Sequence, residues 1–197
     1  MKNLLARGLR GCFGAAVLSG ALLISGEAHA DQPATANVVQ IGVGFRYGVD
    51  LDSDDGFNPW GPGIGVNGGY TFSNALYLGG NFDYFFGAKK DVPGFDVSGN
   101  IWQLMAEGGY DIGLGNIVLR PKLGLGFASI SSKVCASPDN AAFGGCQEPS
   151  EKPFALAPGA TFLLLTSHFT LTLDARYDIV FADEKAKALL FSVGIGF

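Results

Sequence analysis

The stretch that decides the fold is Leu189-Leu190-Phe191-Ser192-Val193-Gly194-Ile195-Gly196-Phe197. Leu189, Phe191, Val193, Ile195 and Phe197 fall on one face of a period-two element, and Leu190, Ser192, Gly194 and Gly196 fall on the other, which is the alternation of a β-strand. An apolar strand at an open sheet edge templates pairing with other chains, whereas a closed barrel has no edge. The rest of the chain therefore has to supply the strands that close around this one.

Seven upstream segments repeat the alternation. Their apolar faces carry Val39 to Tyr47 at odd positions, Ile64 to Phe72 and Leu76 to Phe86 at even positions, and Trp102 to Tyr110 at even positions. Ile117 to Phe127 follow at odd positions, Phe154 to Leu164 at even positions and Phe169 to Phe181 at odd positions. Ser73-Asn74, Gly113-Leu114 and residues 166–168 read as tight turns, and residues 50–63, 87–99, 131–152 and 182–188 as long loops. Long and short connections alternate, so the expectation is an all-β fold, an eight-stranded antiparallel up-and-down transmembrane β-barrel. Pro121 and Pro158 each remove a ladder donor, and a local bulge is expected at both.

The two faces say which side meets lipid. The apolar face carries no charge, and its aromatics gather near the strand ends: Tyr47, Phe86, Trp102, Phe127, Phe154 and Phe181 at one rim, Phe72, Tyr110, Phe162, Phe169 and Phe197 at the other. Two aromatic girdles mark a membrane barrel, and a soluble barrel's ligand cavity has no use for them. The opposite face is rich in small and polar residues and holds Arg46, Asp83, Glu107, Arg120, Lys122, Asp174, Arg176 and Asp178. Four acids against four bases suit a narrow enclosed lumen, where an unpaired charge costs on the order of several kcal/mol.

Residues 1–30 read as a signal peptide: Lys2, Arg7 and Arg10 precede an apolar core at 14–25, and Ala28-His29-Ala30 forms a small-x-small cleavage site. Residues 31–197 then form one outer-membrane barrel domain, opening with a polar lead-in at 31–37. Removing Lys2, Arg7, Arg10 and Glu27 leaves ten basic and seventeen acidic side chains, a net charge of about −7, so nucleic acid is not an expected partner. Cys135 and Cys146 remain as an even pair in an oxidising compartment and read as a disulfide, stabilising by roughly 3 kcal/mol through its short loop.

The C-terminal strand, with its terminal Phe, resembles that of the small outer-membrane β-barrel proteins related to OmpX, the opacity proteins and the OmpA membrane domain, and the resemblance covers nearly all of the chain after residue 30. It implies the outer membrane of a Gram-negative bacterium; loop length then sets the orientation, with both termini in the periplasm and the four long loops outside, and because the chain stops at Phe197 no periplasmic peptidoglycan-binding domain is expected. It also assigns Phe197 to the signal read by the outer-membrane insertion machinery. The implied role is surface interaction or envelope integrity through the outer loops, around a side-chain-filled lumen. A narrow small-solute channel, similar to the OmpW kind, is the alternative, and lipid A modification is a third reading.

Individual sites carry less. Asp50, Asp52, Asp54 and Asp55 begin like a calcium loop, but the sixth-position Gly and twelfth-position Glu are missing. Lys89, Lys90, Lys185 and Lys187 could meet lipopolysaccharide phosphates as point charges; an outer-loop partner stays unnamed. Catalysis needs His beside a hydroxyl and an orienting carboxylate. His168, flanked by Ser167 and Thr170, lies in a predicted turn with Asp174 as its nearest carboxylate in sequence. No enzyme activity and no cofactor are expected. The turn at Gly113-Leu114 would set Tyr110 opposite Ile117, Trp102 opposite Leu125, Met105 opposite Lys122 and Glu107 opposite Arg120, making the last two a luminal ion pair.

Overall fold

Strands form wherever the sequence alternates, and in several places where it does not. In chain order they are β1 (Val38–Asp50), β2 (Gly61–Thr71), β3 (Leu76–Phe85), β4 (Lys89–Val92), β5 (Phe95–Tyr110), β6 (Ile112–Leu114), β7 (Ile117–Ala136), β8 (Cys146–Gln147), β9 (Ser150–Glu151), β10 (Phe154–Leu165), β11 (Thr170–Phe181) and β12 (Ala186–Gly196). The structure is a computed structural model and describes residues 34–52, 58–87, 89–92, 95–136, 146–147, 150–182 and 186–197. The signal segment read at 1–30 lies outside them.

All pairings are antiparallel. β3, β2, β1, β12, β11, β10 and β7 follow one another, and β5 pairs with both β3 and β7, which closes the ring. β6 continues β5 along β7 in unchanged register, so the wall consists of eight strands. The terminal residue completes the seam: Phe197 N–H donates to Ile41 O at 2.8 Å and Phe197 O accepts from Ile41 N–H at 3.0 Å. Its ring points outward, 73% exposed, in company with Phe45 at 72% and Ile41 at 62%, while Asp83 inside is 0% exposed. That distribution inverts the usual one for soluble proteins and fits a wall surrounded by hydrocarbon. At one rim Phe154 stands opposite both Phe127 and Phe181, with ring centroids 6.2 and 5.9 Å apart, a cross-strand ladder of large apolar contacts.

Several expectations need correction. The turn between the fourth and fifth wall strands is Gly115-Asn116, with Leu114 opposite Ile117 and Gly115 at φ 69°, a conformation that a two-residue hairpin turn asks of its first central residue. The ladder therefore sets Glu107 opposite Gly124, Met105 opposite Gly126 and Trp102 opposite Ser129. The partners move by an even number of residues, so every side chain keeps its predicted face. The turn read at Ser73-Asn74 also includes Ala75, which takes φ 66°.

Neither proline makes a bulge. β7 and β10 stay in one register through both, with Pro158 opposite Leu123 and Ala160 opposite Pro121. Single rungs are lost instead. The ladder skips Tyr110 and Asp111 where they pass Pro121 and Arg120, and it skips Ala157 and Pro158 on the β11 side. A missing N–H forfeits its own hydrogen bond without requiring an extra residue.

The segments read as long loops at 87–99 and 131–152 contain strands. β4 pairs with β5, and β8 and β9 pair with the far end of β7 in the register of the wall below. Past the bilayer neither face of a strand has to be apolar, so the alternation fades while the hydrogen bonding continues.

Candidate functional site

The lumen gathers the charges that alternation assigns to it. Near the tight-turn end, Arg120 binds Asp111 with two parallel bonds, Nε to Oδ1 at 2.5 Å and Nη2 to Oδ2 at 2.8 Å, the fork geometry that suits guanidinium and carboxylate. Arg120 Nη2 also donates to Gln40 at 2.9 Å and to Thr71 Oγ1 at 3.3 Å, and its Cζ lies 3.7 Å from the Tyr77 ring centroid, a cation–π contact. Glycines make room for that ring: a Cβ at Gly69 or Gly79 would come within 2.5 or 2.2 Å of Tyr77. Asp111 Oδ2 accepts from Thr71 Oγ1 at 3.0 Å and from Thr35 Oγ1 at 2.7 Å.

Asp111 and Thr35 are the residues the sequence reading misses. Asp111 falls in the approach to a turn on that reading, although continuing the alternation through Tyr110, Ile112 and Leu114 puts it inside. Thr35 belongs to the lead-in at 31–37, but it is buried at the lumen's end.

At mid-height Lys122 bridges Glu107 at 2.8 Å and Asp174 at 2.7 Å. Asn81 donates to Glu107 at 2.5 Å and Thr161 to Asp174 at 2.6 Å. Asp83 is shared by Arg46, at 2.7 Å, and by Arg176. Arg176 also approaches Asp178 at 3.2 Å and Glu107 at 3.9 Å, while Gln103 donates to Asp178 at 2.7 Å. Gly65 opens space for the Arg46 pair, since a Cβ there would lie 2.1 Å from Asp83 Oδ1. Glu107 thus pairs diagonally with Lys122, and the predicted Glu107 to Arg120 pair is replaced by Arg120 with Asp111. With Asp111 counted, five carboxylates face four cations among the described residues.

Toward the long-loop end the lumen turns apolar, which the sequence reading does not foresee. Trp60, Phe85, Ile101, Met105, Val180 and Leu190 pack together with Ala128, Ala155, Ala157 and Ala188, each at most 2% exposed. Trp60 arrives from the first loop rather than from a strand, so no alternation marks it. A polar cavity lined among others by Tyr77, Asn81, Glu107, Lys122 and Asp174 measures ≈ 40 Å³, room for a few waters at roughly 10–15 Å³ of probe volume each.

The outlying candidates are placed as follows. Asp52 N–H donates to Asp50 Oδ1 at 2.9 Å, and Lys187 lies 3.4 Å from Asp52; Asp54, Asp55 and Lys185 lie outside the described residues. Among the described residues no cluster of three or more His, Cys, Asp or Glu is placed to hold a metal ion. Ser167 Oγ and His168 Nδ1 are 2.8 Å apart in an exposed turn. The backbone ladder sets Cys135 opposite Cys146.

With the closed wall, its lipid-facing aromatics and its ion-paired interior established, the comparison with known families returns a match over residues 16–197 to the family described as outer membrane protein beta-barrel domain. The chain belongs to that family. Its wall accordingly sits in an outer membrane. Solved structures agree on the fold. Ail, the attachment invasion locus protein of Yersinia pestis, in complex with the heparin analogue sucrose octasulfate, is 20% identical with a TM-score of 0.59, over 82% of this chain and 99% of that one. A major outer membrane protein from Thermus thermophilus is 15% identical with a TM-score of 0.59, over 81% and 99%. Neisserial surface protein A is 15% identical with a TM-score of 0.52, over 80% and 94%. No curated protein matches this chain.

Proposed function

We propose that this barrel domain is closed to solutes by its own side chains and acts outside the membrane, in surface interaction or envelope integrity, through the sheet and loops at its long-loop end. The observation that carries the reading is the sheet that outgrows the barrel. β7 runs for 20 residues, against 10 to 13 in β1, β2, β3, β10, β11 and β12. Among the described residues β4 is paired only with β5, and a strand free on one side can accept an extended segment of a partner. The apolar packing at the same end and the small residual cavity support the closed lumen over the channel reading.

A disulfide between Cys135 and Cys146 belongs to this proposal. Residues directly opposite in an antiparallel ladder have Cα atoms about 4.5–5.5 Å apart, within the span a disulfide bridges. So do the leader at 1–30, the role of Phe197 in insertion, contact with lipopolysaccharide and the absence of catalysis. The acidic run from Asp50 disfavours a polyanionic partner at the first loop.

The test is to delete residues 88–98 and 132–150 separately, replacing each with a short turn, and to measure adherence of expressing cells together with conductance of the purified protein in planar bilayers. Retained heat-dependent gel migration with reduced adherence is the expected result. Discrete channel openings in the intact protein would transfer the assignment to the small-solute channel, and altered lipid A masses in expressing cells would transfer it to lipid modification.

A further inference from the structure

Two deficits in the charged part of the lumen point to the same ligand. The first is local. Asn81 Nδ2 donates to Glu107 Oε1 at 2.5 Å, and because a carboxylate only accepts, that bond fixes which end of the amide is the NH2 group. The other end, Asn81 Oδ1, has no hydrogen-bond partner among the described residues, although Asn81 is only 4% exposed. A buried acceptor of this kind calls for a donor or a cation.

The second deficit is in the charge count. Among the described residues Asp83, Glu107, Asp111, Asp174 and Asp178 stand against Arg46, Arg120, Lys122 and Arg176, which leaves one negative charge over inside a wall surrounded by hydrocarbon. Uncompensated charge is expensive there.

Both deficits meet at the ≈ 40 Å³ cavity, which Asn81, Glu107 and Asp174 line together with Asn67, the residue opposite Asn81 on the ladder between β2 and β3. Hydrogen bonds from Asn81, Lys122 and Thr161 engage Glu107 through Oε1 and Asp174 through Oδ2, so each carboxylate keeps a second oxygen that these bonds do not use. The four cations border the same space, but each is already bonded to a carboxylate and none supplies the missing charge. Gln40, Thr170 and Gly196 continue the lining to the tight-turn mouth, which gives an ion a way in. The apolar packing at the long-loop end gives it no way through.

We propose that this cavity binds one small monovalent cation, held by Asn81 Oδ1 and the second oxygens of Glu107 and Asp174 and keeping part of its own water. Oxygen donors suit a hard cation. A single charge brings the lumen to neutrality, whereas a divalent ion would overshoot it, and two carboxylates with an amide fall short of the three-acid cluster that is absent among the described residues. The proposal goes beyond the surface role and does not depend on it.

The test uses the full chain folded in a non-ionic detergent and follows thermal unfolding by tryptophan fluorescence at one heating rate, in sodium chloride and in choline chloride at equal ionic strength. Choline is too large for the cavity and serves as the background. A ligand that binds only the folded state stabilises it with the logarithm of its concentration above half-occupancy. The midpoint should therefore be a few degrees higher in sodium than in choline and climb with each tenfold increase in sodium. Asn81→Leu should abolish the difference between the salts, and Asn81→Asp, which puts a charged oxygen in place of the amide, should enlarge it. The proposal is overturned if the wild type has the same midpoint in both salts. It is also overturned if the midpoint follows pH and not the cation, which would put a proton in the ion's place, or if Asn81→Leu keeps the full sodium effect, which would place the ion elsewhere, such as beside Asp50 and Asp52 in the first loop. Should Asn81→Leu fail to fold, Asn81→Asp decides, a sodium effect no larger than that of the wild type counting against the site.

Discussion

The two halves of the lumen are closed by different physics. From the tight-turn end through mid-height the lumen holds, among the described residues, nine charged side chains whose carboxylates are each within reach of a cation, whereas the long-loop end has an interior of aromatic and aliphatic groups. Removing two opposite charges from water costs about as much as their attraction returns, so a buried ion network selects one arrangement more than it adds stability. Apolar packing does the reverse: it gains from burial and tolerates adjustment. The charged half is therefore unforgiving of single deletions, and the apolar half is where a side chain from a loop can be accommodated.

The contrast is most exposed at Asp83, the shared partner of Arg46 and Arg176. Asp83→Ala strands two buried cations, and urea titration in detergent should show a loss of about 5 kcal/mol, the top of the range for breaking a buried pair. A loss under ~1 kcal/mol would mean that water reaches the network and that the halves are not so different. In the apolar half Phe85→Ala should cost about 3–4 kcal/mol through lost contact and a residual cavity. That cost should not change with salt, and marked salt dependence would assign Phe85 to the polar region.

The register supplies the next test. A double-mutant cycle on Asp111 and Arg120 should give coupling of about 2 kcal/mol, while the cycle on Glu107 and Arg120 should give a value near zero. Equal couplings would restore the register read from Gly113-Leu114. The smallest effect is expected outside both halves, at Ala75. Its φ of 66° is strained for any residue with a Cβ, so Ala75→Gly should raise stability by about 0.5–1 kcal/mol, strain relief outweighing the entropy of glycine. A fall in stability would show that the contacts of the buried methyl matter more.

Much of the site was legible in one dimension. Arg46, Asp83, Glu107, Arg120, Lys122, Asp174, Arg176 and Asp178 can be placed inside because a strand's two faces alternate with a period of two whatever lies beside it. Asp111 escapes only where the alternation is stopped at Tyr110, four residues before the strand pairing ends at Leu114; Gly115-Asn116 is itself a hairpin dipeptide and signals the true turn. Trp60 leaves no such trace, since residues 58–60 have no period and their place depends on a cavity formed by six other segments.

The sequence by itself determined the strands, their lipid and luminal faces, the aromatic rims and the closing role of the segment ending at Phe197. These follow from local alternation and from the need of every strand edge for a partner. Only the tertiary structure decided which carboxylate meets which cation, that two prolines cost rungs rather than register, and that Thr35 and Trp60 enter the lumen from opposite ends. Those outcomes depend on turn geometry and on ring closure, which join residues as far apart as Thr35 and Asp111 and have no signature in any single window of sequence.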